Sequence, residues 1–369
     1  MIKLRYVFLS IIVIYFVAQF VFSTIQLFNV DTSRISYENL KDGPLLLKPG
    51  KIIKNGNVIT AIGYGGLTVF DKTTKKSKKR DEKPYISLAG IAKKKVVEAA
   101  ENLMNLTGDF IYVTMINKAY ERLTMNWICN TALMKNVHSR TLIISMESST
   151  CQNIIEQWDD SIKCVSLNVS NYNGSYDWGA QKYINLLTLR ANIMLELTSN
   201  DIPYILFETD AIWFKDPFQL FENCTTNSTD DFDIYVPIKG RSGGKSDILA
   251  FDPMFVLPTN ASKLFLEEMT GRLENDTKLY DQDEMNKMCS SQYNGLVCRV
   301  FEYENISDGL WFSNSSSSSP SQSLFIVNNN FNSGIKNKET RQSLNGYWFL
   351  ATRSSQCKIS KVEKFMNKN

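Results

Sequence analysis

Histidine is almost absent from this chain of 369 residues, which contains only His138. A single histidine excludes His-rich zinc sites and metal motifs that need two histidines. Cysteine occurs seven times, but no two cysteines form a C-x-x-C pair, which argues against a structural zinc site. The hydrophobic share of 43% is still enough for a sizeable core, so a wholly disordered or fibrous protein is excluded.

A large net charge is also lacking, because 41 Lys and Arg residues face 38 Asp and Glu residues. The formal charge of +3 is local in origin. Residues 71–95 hold ten basic and three acidic residues, which gives +7 there and leaves −4 for the rest of the chain. We interpret the basic run at 72–80 as part of a solvated stem. The folded body therefore gives no reason to expect nucleic-acid binding.

Charged residues are missing altogether between Tyr6 and Phe28, where 15 of 23 positions are Val, Ile, Leu or Phe. This composition favours a membrane span. The run is longer than the core of a cleaved signal peptide, and no clear small-x-small cleavage site follows it. It predicts a signal-anchor transmembrane helix at 6–28 behind a cytoplasmic tail at 1–5, with a cleaved signal peptide as the alternative.

Asn-x-Ser/Thr sequons indicate which side of the membrane the body occupies, since the basic residues flanking the span do not decide it. Nine sequons follow the predicted anchor, which favours a lumenal body. All seven cysteines also follow it, as expected in an oxidising compartment, and an odd number leaves at least one free, bound to another chain or simply buried. The sequence thus predicts a single-pass type II membrane protein. The sequons begin at Asn105, Asn168, Asn173, Asn223, Asn227, Asn260, Asn275, Asn305 and Asn314.

Strands and helices alternate between about residues 109 and 215, after a helix predicted from Ser87 to Asn105. The longest helical pattern runs from Gln181 to Thr198, and a short helix is predicted near 154–158. Such alternation predicts βαβ units and a parallel sheet, with ligands at the carboxyl ends of the strands. The region therefore looks like a nucleotide-binding half. Its predicted strands are 110–116, 141–145, 164–167 and 203–207.

The segment PYILFETDAIWFKDP at 203–217 places two acidic residues, Glu208 and Asp210, at the end of a buried strand. Carboxylates at positions i and i+2 of an extended segment point the same way, so both could face one hard divalent cation. A nucleotide diphosphate would supply further oxygen ligands. The alternative is that the two acids only end a strand or cap the next element of the chain.

Several separate blocks together resemble the nucleotide-diphospho-sugar transferase family, glycosyltransferases of the GT-A fold whose DxD motif lies at this strand end. The resemblance runs from about Asp109 to Thr352. It implies an α/β fold with a Rossmann-like nucleotide-binding half and a mixed sheet, a divalent metal (Mn²⁺ or Mg²⁺), a nucleotide-sugar donor and a glycan or glycoprotein acceptor. The blocks are NKAYERLTMNWICN (117–130), DWGAQKYINLLTLRA (177–191), LFETDAIWFKDP (206–217), DQDEMN (281–286) and NNNFNSGIKNKETRQSLNGYWFL (328–350).

The resemblance also implies roles for individual residues near the acidic pair. Asp210 matches the Asp that binds metal and diphosphate, whereas Glu208 stands where relatives usually have Asp and has an arm longer by one methylene. Arg190, on the long helix, is expected to reach the donor, with an exposed helix cation as the alternative. Asn117, which begins the first block, is a further donor-binding candidate.

Two further blocks carry candidates from the second half of the chain. Asp281 and Asp283 are the catalytic candidates, because in similar retaining enzymes an Asp of this block lies beside the anomeric carbon or binds the acceptor; capping could explain one of them. Relatives then have His or Asn followed by Gly and Lys, where the His completes the metal shell. Here asparagines at 328–330 come first, and Gly334, Lys336 and Lys338 are the donor-binding candidates. Of the two lysines, Lys338 fits the spacing slightly better. The third metal ligand could be an Asn oxygen, water or nothing.

The predicted function is a metal-dependent, retaining glycosyltransferase in the Golgi membrane, with a lumenal catalytic domain. A catalytically silent relative that binds sugar or nucleotide is one alternative, because of Glu208 and the missing histidine. A glycoside hydrolase also uses paired carboxylates, but it has no need for a lysine near Gly334. Beyond the anchor, the predicted domains are a stem at 29–108, a catalytic domain at 109–355 and a tail at 356–369.

Overall fold

The computed structural model describes residues 52–55, 58–63, 66–71, 90–226, 232–240, 248–314, 320–352 and 354–368. The predicted transmembrane helix at 6–28 lies outside these ranges, and none of the helices inside them is long and apolar enough to cross a membrane. The chain divides into two units, Met1–Arg80 and Asp81–Asn369. In the first unit, β1 (Ile52–Asn55), β2 (Val58–Gly63) and β3 (Gly66–Asp71) form an antiparallel sheet.

Strands and helices alternate in the second unit, as the sequence predicts. Each of the four predicted strands is confirmed to within one residue at either end, and the long helix ends one residue later than predicted. The predicted short helix begins earlier, at Ser148, because its first turn is polar and lacks the apolar periodicity that reveals a helix. The elements are α1 (Gly90–Thr107), β4 (Ile111–Ile116), α2 (Glu121–Thr131), β5 (Thr141–Ser145), α3 (Ser148–Trp158), β6 (Lys163–Ser166), α4 (Gln181–Ser199), β7 (Tyr204–Leu206), β8 (Ile212–Trp213), α5 (Phe218–Thr226), β9 (Ile234–Pro237), β10 (Met254–Val256), α6 (Asn260–Asn275), α7 (Asp281–Ser290), β11 (Cys298–Phe301), β12 (Ile306–Ser307), α8 (Trp311–Asn314), β13 (Ile326–Val327), α9 (Ile335–Leu344) and α10 (Ile359–Met366).

A seven-stranded mixed sheet forms the centre of this unit, in the order β11-β9-β10-β7-β4-β5-β6. Strands β7, β4, β5 and β6 are parallel, whereas β10 runs antiparallel to both of its neighbours. A smaller sheet, β12-β13-β8, follows the acidic segment. The α/β class and the mixed sheet that the sequence predicts are thus confirmed, and the carboxyl ends of β4 and β7 lie side by side.

Both faces of the large sheet are buried by helices. Along β4 the side chains alternate, so that Ile111 and Val113 join one core and Tyr112 joins the other. The first core includes residues of α1, α4, α6 and α7, and the second includes residues of α2, α3, α5 and α10. Because α1 and α10 both contribute, this unit begins before residue 109 and continues beyond residue 355.

Six of the seven cysteines form disulfides, which fits the oxidising compartment expected from the sequence. Their partners could not be read from the spacings. Cys224 is the seventh, and its side chain lies outside the described part of the structure. The pairs are Cys129–Cys357, Cys151–Cys164 and Cys289–Cys298.

Candidate active site

The chain turns sharply where β7 ends, and this turn carries the acidic pair. Thr209 and Asp210 form a turn in which the N–H of Ala211 donates to the carbonyl oxygen of Glu208 at 3.2 Å. The two carboxylates are therefore placed by the turn, and not by strand alternation as the sequence suggests. Asp210 is buried, at 2% exposure, whereas the side chain of Glu208 is 38% exposed.

Arg190 joins this turn to the start of α7. From the middle of α4, its guanidinium donates to Glu208 Oε1 at 2.9 Å and, through Nε and Nη2, to Asp281 Oδ2 at 3.0 and 2.6 Å. Its side chain is only 11% exposed and stacks over the ring of Phe251, 4.6 Å from the ring centre. Burial lowers the pKa of Arg190, but Asp281 and Glu208 outweigh burial and raise that pKa above its ordinary value. The alternative interpretation of Arg190 as an exposed helix cation is wrong.

Lys338 supplies a second cation that is largely buried. Its ammonium forms an ion pair with Asp210 Oδ2 and lies 3.4 Å from the hydroxyl of Tyr120, to which it can donate. Burial lowers the pKa of Lys338, but Asp210 above all raises that pKa well above its ordinary value. Lys336 is exposed, as is Gly334, which precedes α9 with a φ of 87°. Of the two candidate lysines, the structure thus brings Lys338 to the acidic pair.

Asp252 is a third carboxylate at this place, and sequence reasoning missed it. It lies two residues before β10, which runs antiparallel to β7 with Met254 opposite Leu206, so Asp252 comes at the end of β7 that carries Glu208. Burial raises the pKa of Asp252 well above its ordinary value, and Glu208 and Asp210 raise it further. An acidic residue two positions before an apolar strand was the available signal. Its meaning depends on the antiparallel pairing, which the local sequence does not reveal.

At the candidate site, the carboxylates outnumber the cationic side chains that contact them. Burial and then Glu208 raise the pKa of Asp210, and Lys338 offsets this only in part. Burial also disfavours charged Glu208, but Arg190 and Lys338 outweigh it and lower the pKa of that carboxyl. Surplus carboxylate oxygens are the donors that Mg²⁺ and Mn²⁺ prefer, so the chemistry of Glu208, Asp210 and Asp252 fits a divalent cation. Among the described residues, no three His, Cys, Asp or Glu side chains are close enough to hold an ion as they stand.

The asparagines at 328–330 build the loop before α9. The side-chain oxygen of Asn329 accepts from Arg341 Nε at 2.6 Å, and that of Asn330 accepts a backbone N–H at 2.6 Å. Asn328 donates through Nδ2 to the backbone oxygen of Asp252 at 2.6 Å. Two of the three side-chain oxygens are therefore engaged by the protein, which leaves Asn328 as the best placed to approach a ligand.

The acidic block at the start of α7 is divided between the site and the surface. Asp281 is 3% exposed and its Oδ2 is taken up by Arg190, whereas Asp283 is exposed. Asn286 exchanges two hydrogen bonds with the backbone of Leu249, at 2.8 and 3.0 Å. The structure thus brings Asp281 to the candidate site as the partner of Arg190, and it leaves Asp283 free to meet a molecule from outside.

A cleft of about 110 Å³ lies above the carboxyl ends of β4 and β7. Glu208 and Arg190 line it on one side, and Tyr176 and Tyr183 are among the aromatic residues that line the rest. Asn117 is 5% exposed and donates through Nδ2 to two backbone oxygens at 2.8 Å, but its Oδ1 has no hydrogen-bond partner among the described residues. A buried acceptor without a partner is costly unless a ligand supplies an N–H or O–H group.

Comparison with known proteins gives a family and several distant relatives. A family model described as nucleotide-diphospho-sugar transferase matches residues 136–342, more than half of the chain. UDP-D-xylose:L-fucose α-1,3-D-xylosyltransferase 3 of Arabidopsis thaliana is 21% identical over 262 residues, which cover 66% of this chain and 67% of that relative.

Two solved glycosyltransferase structures are similar at lower identity. The glycosyltransferase GlyE of Streptococcus pneumoniae is 10% identical with a TM-score of 0.43, and the match covers 70% of this chain and 63% of the pneumococcal one. The chain thus spans somewhat less than two thirds of that protein. Mouse xyloside xylosyltransferase 1 is 11% identical with a TM-score of 0.39, over 61% of this chain and 99% of the mouse chain.

Proposed function

This chain belongs to the nucleotide-diphospho-sugar transferase family, a nucleotide-sugar-dependent glycosyltransferase family, and from that premise we propose that its reaction takes place in the cleft beside Glu208 and Arg190. The sugar would pass from a nucleotide-diphospho-sugar donor to a hydroxyl group of a glycan or glycoprotein acceptor. The observation that carries this proposal is the meeting of two largely buried cations, Arg190 and Lys338, with the buried turn at Asp210.

In the proposed reaction, negative charge develops on the departing diphosphate. Lys338 and Arg190 are held at the site before the donor arrives, so their charges can stabilise that diphosphate without a large reorganisation. Asp210, Glu208 and Asp252 would hold a divalent cation, which when bound supplies further positive charge to the phosphates. The unpaired Oδ1 of Asn117 offers the donor a hydrogen-bond acceptor within the cleft.

The acidic residues of α7 receive different roles in this proposal. Asp281 fixes the orientation of Arg190 through two hydrogen bonds to one carboxylate oxygen, so it acts as a positioning residue. Asp283 is exposed at the same helix end and would contact the acceptor. Retention of the anomeric configuration, which the family resemblance implies, belongs to the proposal.

We also propose that residues 6–28 anchor the chain in a Golgi membrane as a type II protein. The stem would run from residue 29 and end before α1, and the catalytic domain, which includes α1, would lie in the lumen. The uncharged apolar run and the nine sequons beyond it support this orientation. The Arabidopsis relative's name specifies UDP-D-xylose as its donor and L-fucose as its acceptor. These two compounds are therefore the first donor and acceptor to test with this chain.

The proposal is tested with the full chain purified in detergent and incubated with a panel of nucleotide sugars that includes UDP-xylose. We expect release of the nucleoside diphosphate with Mn²⁺ or Mg²⁺, and none after chelation. Asp210→Ala should reduce the release by about 100-fold or more, because the variant loses the partner of Lys338 and a proposed metal ligand. Asp160→Ala removes an exposed carboxylate elsewhere and should leave the rate unchanged.

Thermal unfolding of each variant separates loss of the site from loss of the fold. Donor binding without any turnover would favour a catalytically silent protein. Activity that survives both chelation and Asp210→Ala would show that the reaction does not use the proposed site.

A further inference from the structure

Trp178 is the most exposed tryptophan among the described residues, with 71% of its surface exposed. Its indole does not extend freely into solvent but stacks flat on the ring of Tyr280, with ring centres 4.6 Å apart and planes inclined by 12°. Trp and Tyr each combine a large apolar face with a polar tip, and for this reason they are enriched at binding interfaces. We call this stacked pair, Trp178 and Tyr280, the aromatic platform.

The backbone around the platform is built to hold it in place. Gly179 has a φ of +84°, and a Cβ atom at this position would come within 3.1 Å of the Tyr280 hydroxyl. Glycine therefore permits the close approach of the loop to Tyr280. The carbonyl of Asp177 accepts the N–H of Ala180 at 3.0 Å, just before α4 begins. These contacts shape the loop that carries the indole.

The platform is connected to the candidate active site on both sides. Tyr280 immediately precedes Asp281, whose carboxylate holds Arg190 beside the cleft. The loop that carries Trp178 also supplies Gly174 and Tyr176 to the lining of that cleft. A molecule on the platform would therefore lie at the edge of the cleft in which the donor is proposed to bind.

Polar groups at the edge of the platform indicate what chemistry it suits. Asp283 and Asp177 are both exposed and close in sequence to the two rings. A pyranose ring has the matching surface, because its C–H groups form an apolar face that packs on an aromatic ring while its hydroxyls point outward and can donate to carboxylates. A lipid chain would offer these two carboxylates no hydrogen-bond donor.

We propose that Trp178 and Tyr280 bind one pyranose ring of the acceptor saccharide, with Asp283 accepting hydrogen bonds from its hydroxyls. The inference rests on the proposed transferase function, since it assigns the acceptor side of that same site. The platform determines which hydroxyl reaches the cleft, and the donor lies beyond it.

The test separates the acceptor from the donor by measuring two reactions of the full chain in detergent. One is hydrolysis of the nucleotide sugar without an acceptor, and the other is transfer to a panel of methyl glycosides and trisaccharides that includes L-fucosides. Trp178→Ala should raise the acceptor KM about tenfold, the size expected for losing one aromatic stacking contact, and should change hydrolysis by less than twofold. Trp178→Phe should recover most of the acceptor affinity. Leu106→Ala, at an 81% exposed position on α1, is the matched control and should change neither reaction.

Three outcomes would each contradict the proposal that the aromatic platform binds the acceptor. The first is an unchanged acceptor KM in Trp178→Ala, and the second is a higher donor KM with equal loss of hydrolysis, which would place the donor on the indole. The third is that saccharides of the panel give no saturation-transfer NMR signal with the unmutated chain. Since this NMR measurement needs no turnover, it tests the platform even where the donor panel shows no reaction and the proposed function itself fails.

Discussion

At the scale of single residues, His138 is a titratable group held in its neutral form by the fold. Its Nε2 lies 3.0 Å from the carbonyl oxygen of Ile128 and 3.0 Å from Thr131 Oγ1, and its ring packs edge-on against Trp158. Burial lowers the pKa of His138 to about 4, and the hydrogen bond to Ile128 offsets this only in part. The only histidine of the chain thus serves the packing between α2 and α3.

This low pKa predicts a loss of stability in acid. Below pH 6.5 the unfolded chain binds a proton on His138 that the folded chain does not bind until about pH 4, so stability falls as the pH drops through this window. The residue alone should lower the free energy of unfolding by ~1–2 kcal/mol between pH 7 and pH 5. Denaturant unfolding at the two pH values measures this loss, and His138→Gln should reduce it.

A direct measurement of the same pKa is simple because the chain has one histidine. A histidine-labelled sample gives one set of imidazole NMR signals, which should titrate near pH 4. A midpoint at 6.5 or higher, or an acid sensitivity that His138→Gln leaves unchanged, would contradict the assignment.

At the scale of elements, the sequence was a good guide where a pattern is local. The strand β7 and the acidic residues after it follow from one apolar run, and Lys338 follows from its place in a block that resembles relatives. Asp252 does not, since its role arises from the antiparallel register of β10 on β7, which is a long-range property. The sequence also did not reveal that Arg190 is largely buried, because a cation on a helix is expected to be solvated unless its partners are known.

Long-range hydrogen bonds also explain how α9 holds its lysine at the acidic turn. Gln342 on α9 donates to the backbone oxygen of Asp210 at 2.6 Å. Asn126 on α2 donates to Gln342 at 3.1 Å and accepts the N–H of Phe349 at 2.6 Å. The segment after α9 is thereby docked on α2, and Cys129–Cys357 fixes the same docking covalently.

This arrangement predicts that the three disulfides differ in their effect on stability. Cys129–Cys357 closes a separation of 228 residues and Cys289–Cys298 one of only 9. In the chain-entropy model, the longer loop should contribute about 3 kcal/mol more to the free energy of unfolding. We expect Cys129→Ala/Cys357→Ala to lower the denaturation midpoint clearly more than Cys289→Ala/Cys298→Ala does.

Equal losses from the two double variants would contradict a stabilisation that grows with loop length. The same comparison tests the docking, because only the first pair should also reduce nucleoside diphosphate release, through the displacement of α9 and Lys338. Should activity fall equally in both, the docking of α9 on α2 does not control the site.

At the scale of the whole molecule, the surface agrees with a lumenal location. Five sequon asparagines are exposed, one on α1, two in the loop between β6 and α4 and one at each end of α6, so carbohydrate could be attached at three places on the second unit. Asn305 is half-buried and donates through its side chain to the carbonyl oxygen of Ser323 at 2.9 Å, so it is the least accessible of the described sequons. The exposed asparagines are Asn105, Asn168, Asn173, Asn260 and Asn275.

The proposed type II orientation makes a prediction about the chain in eukaryotic cells. Peptide N-glycosidase should increase its electrophoretic mobility, and Asn→Gln changes at the five exposed sequons should each remove one step of the shift, because glycans attach only to residues that enter the lumen.

In intact microsomes, protease should digest a tag placed before residue 6 but spare the body until detergent is added. A tag after residue 369 is the matched control and should be protected. The opposite orientation would be shown if the body carried no glycans and protease digested it in sealed microsomes. The disulfides would then need another explanation, because cytosolic thiols are kept reduced.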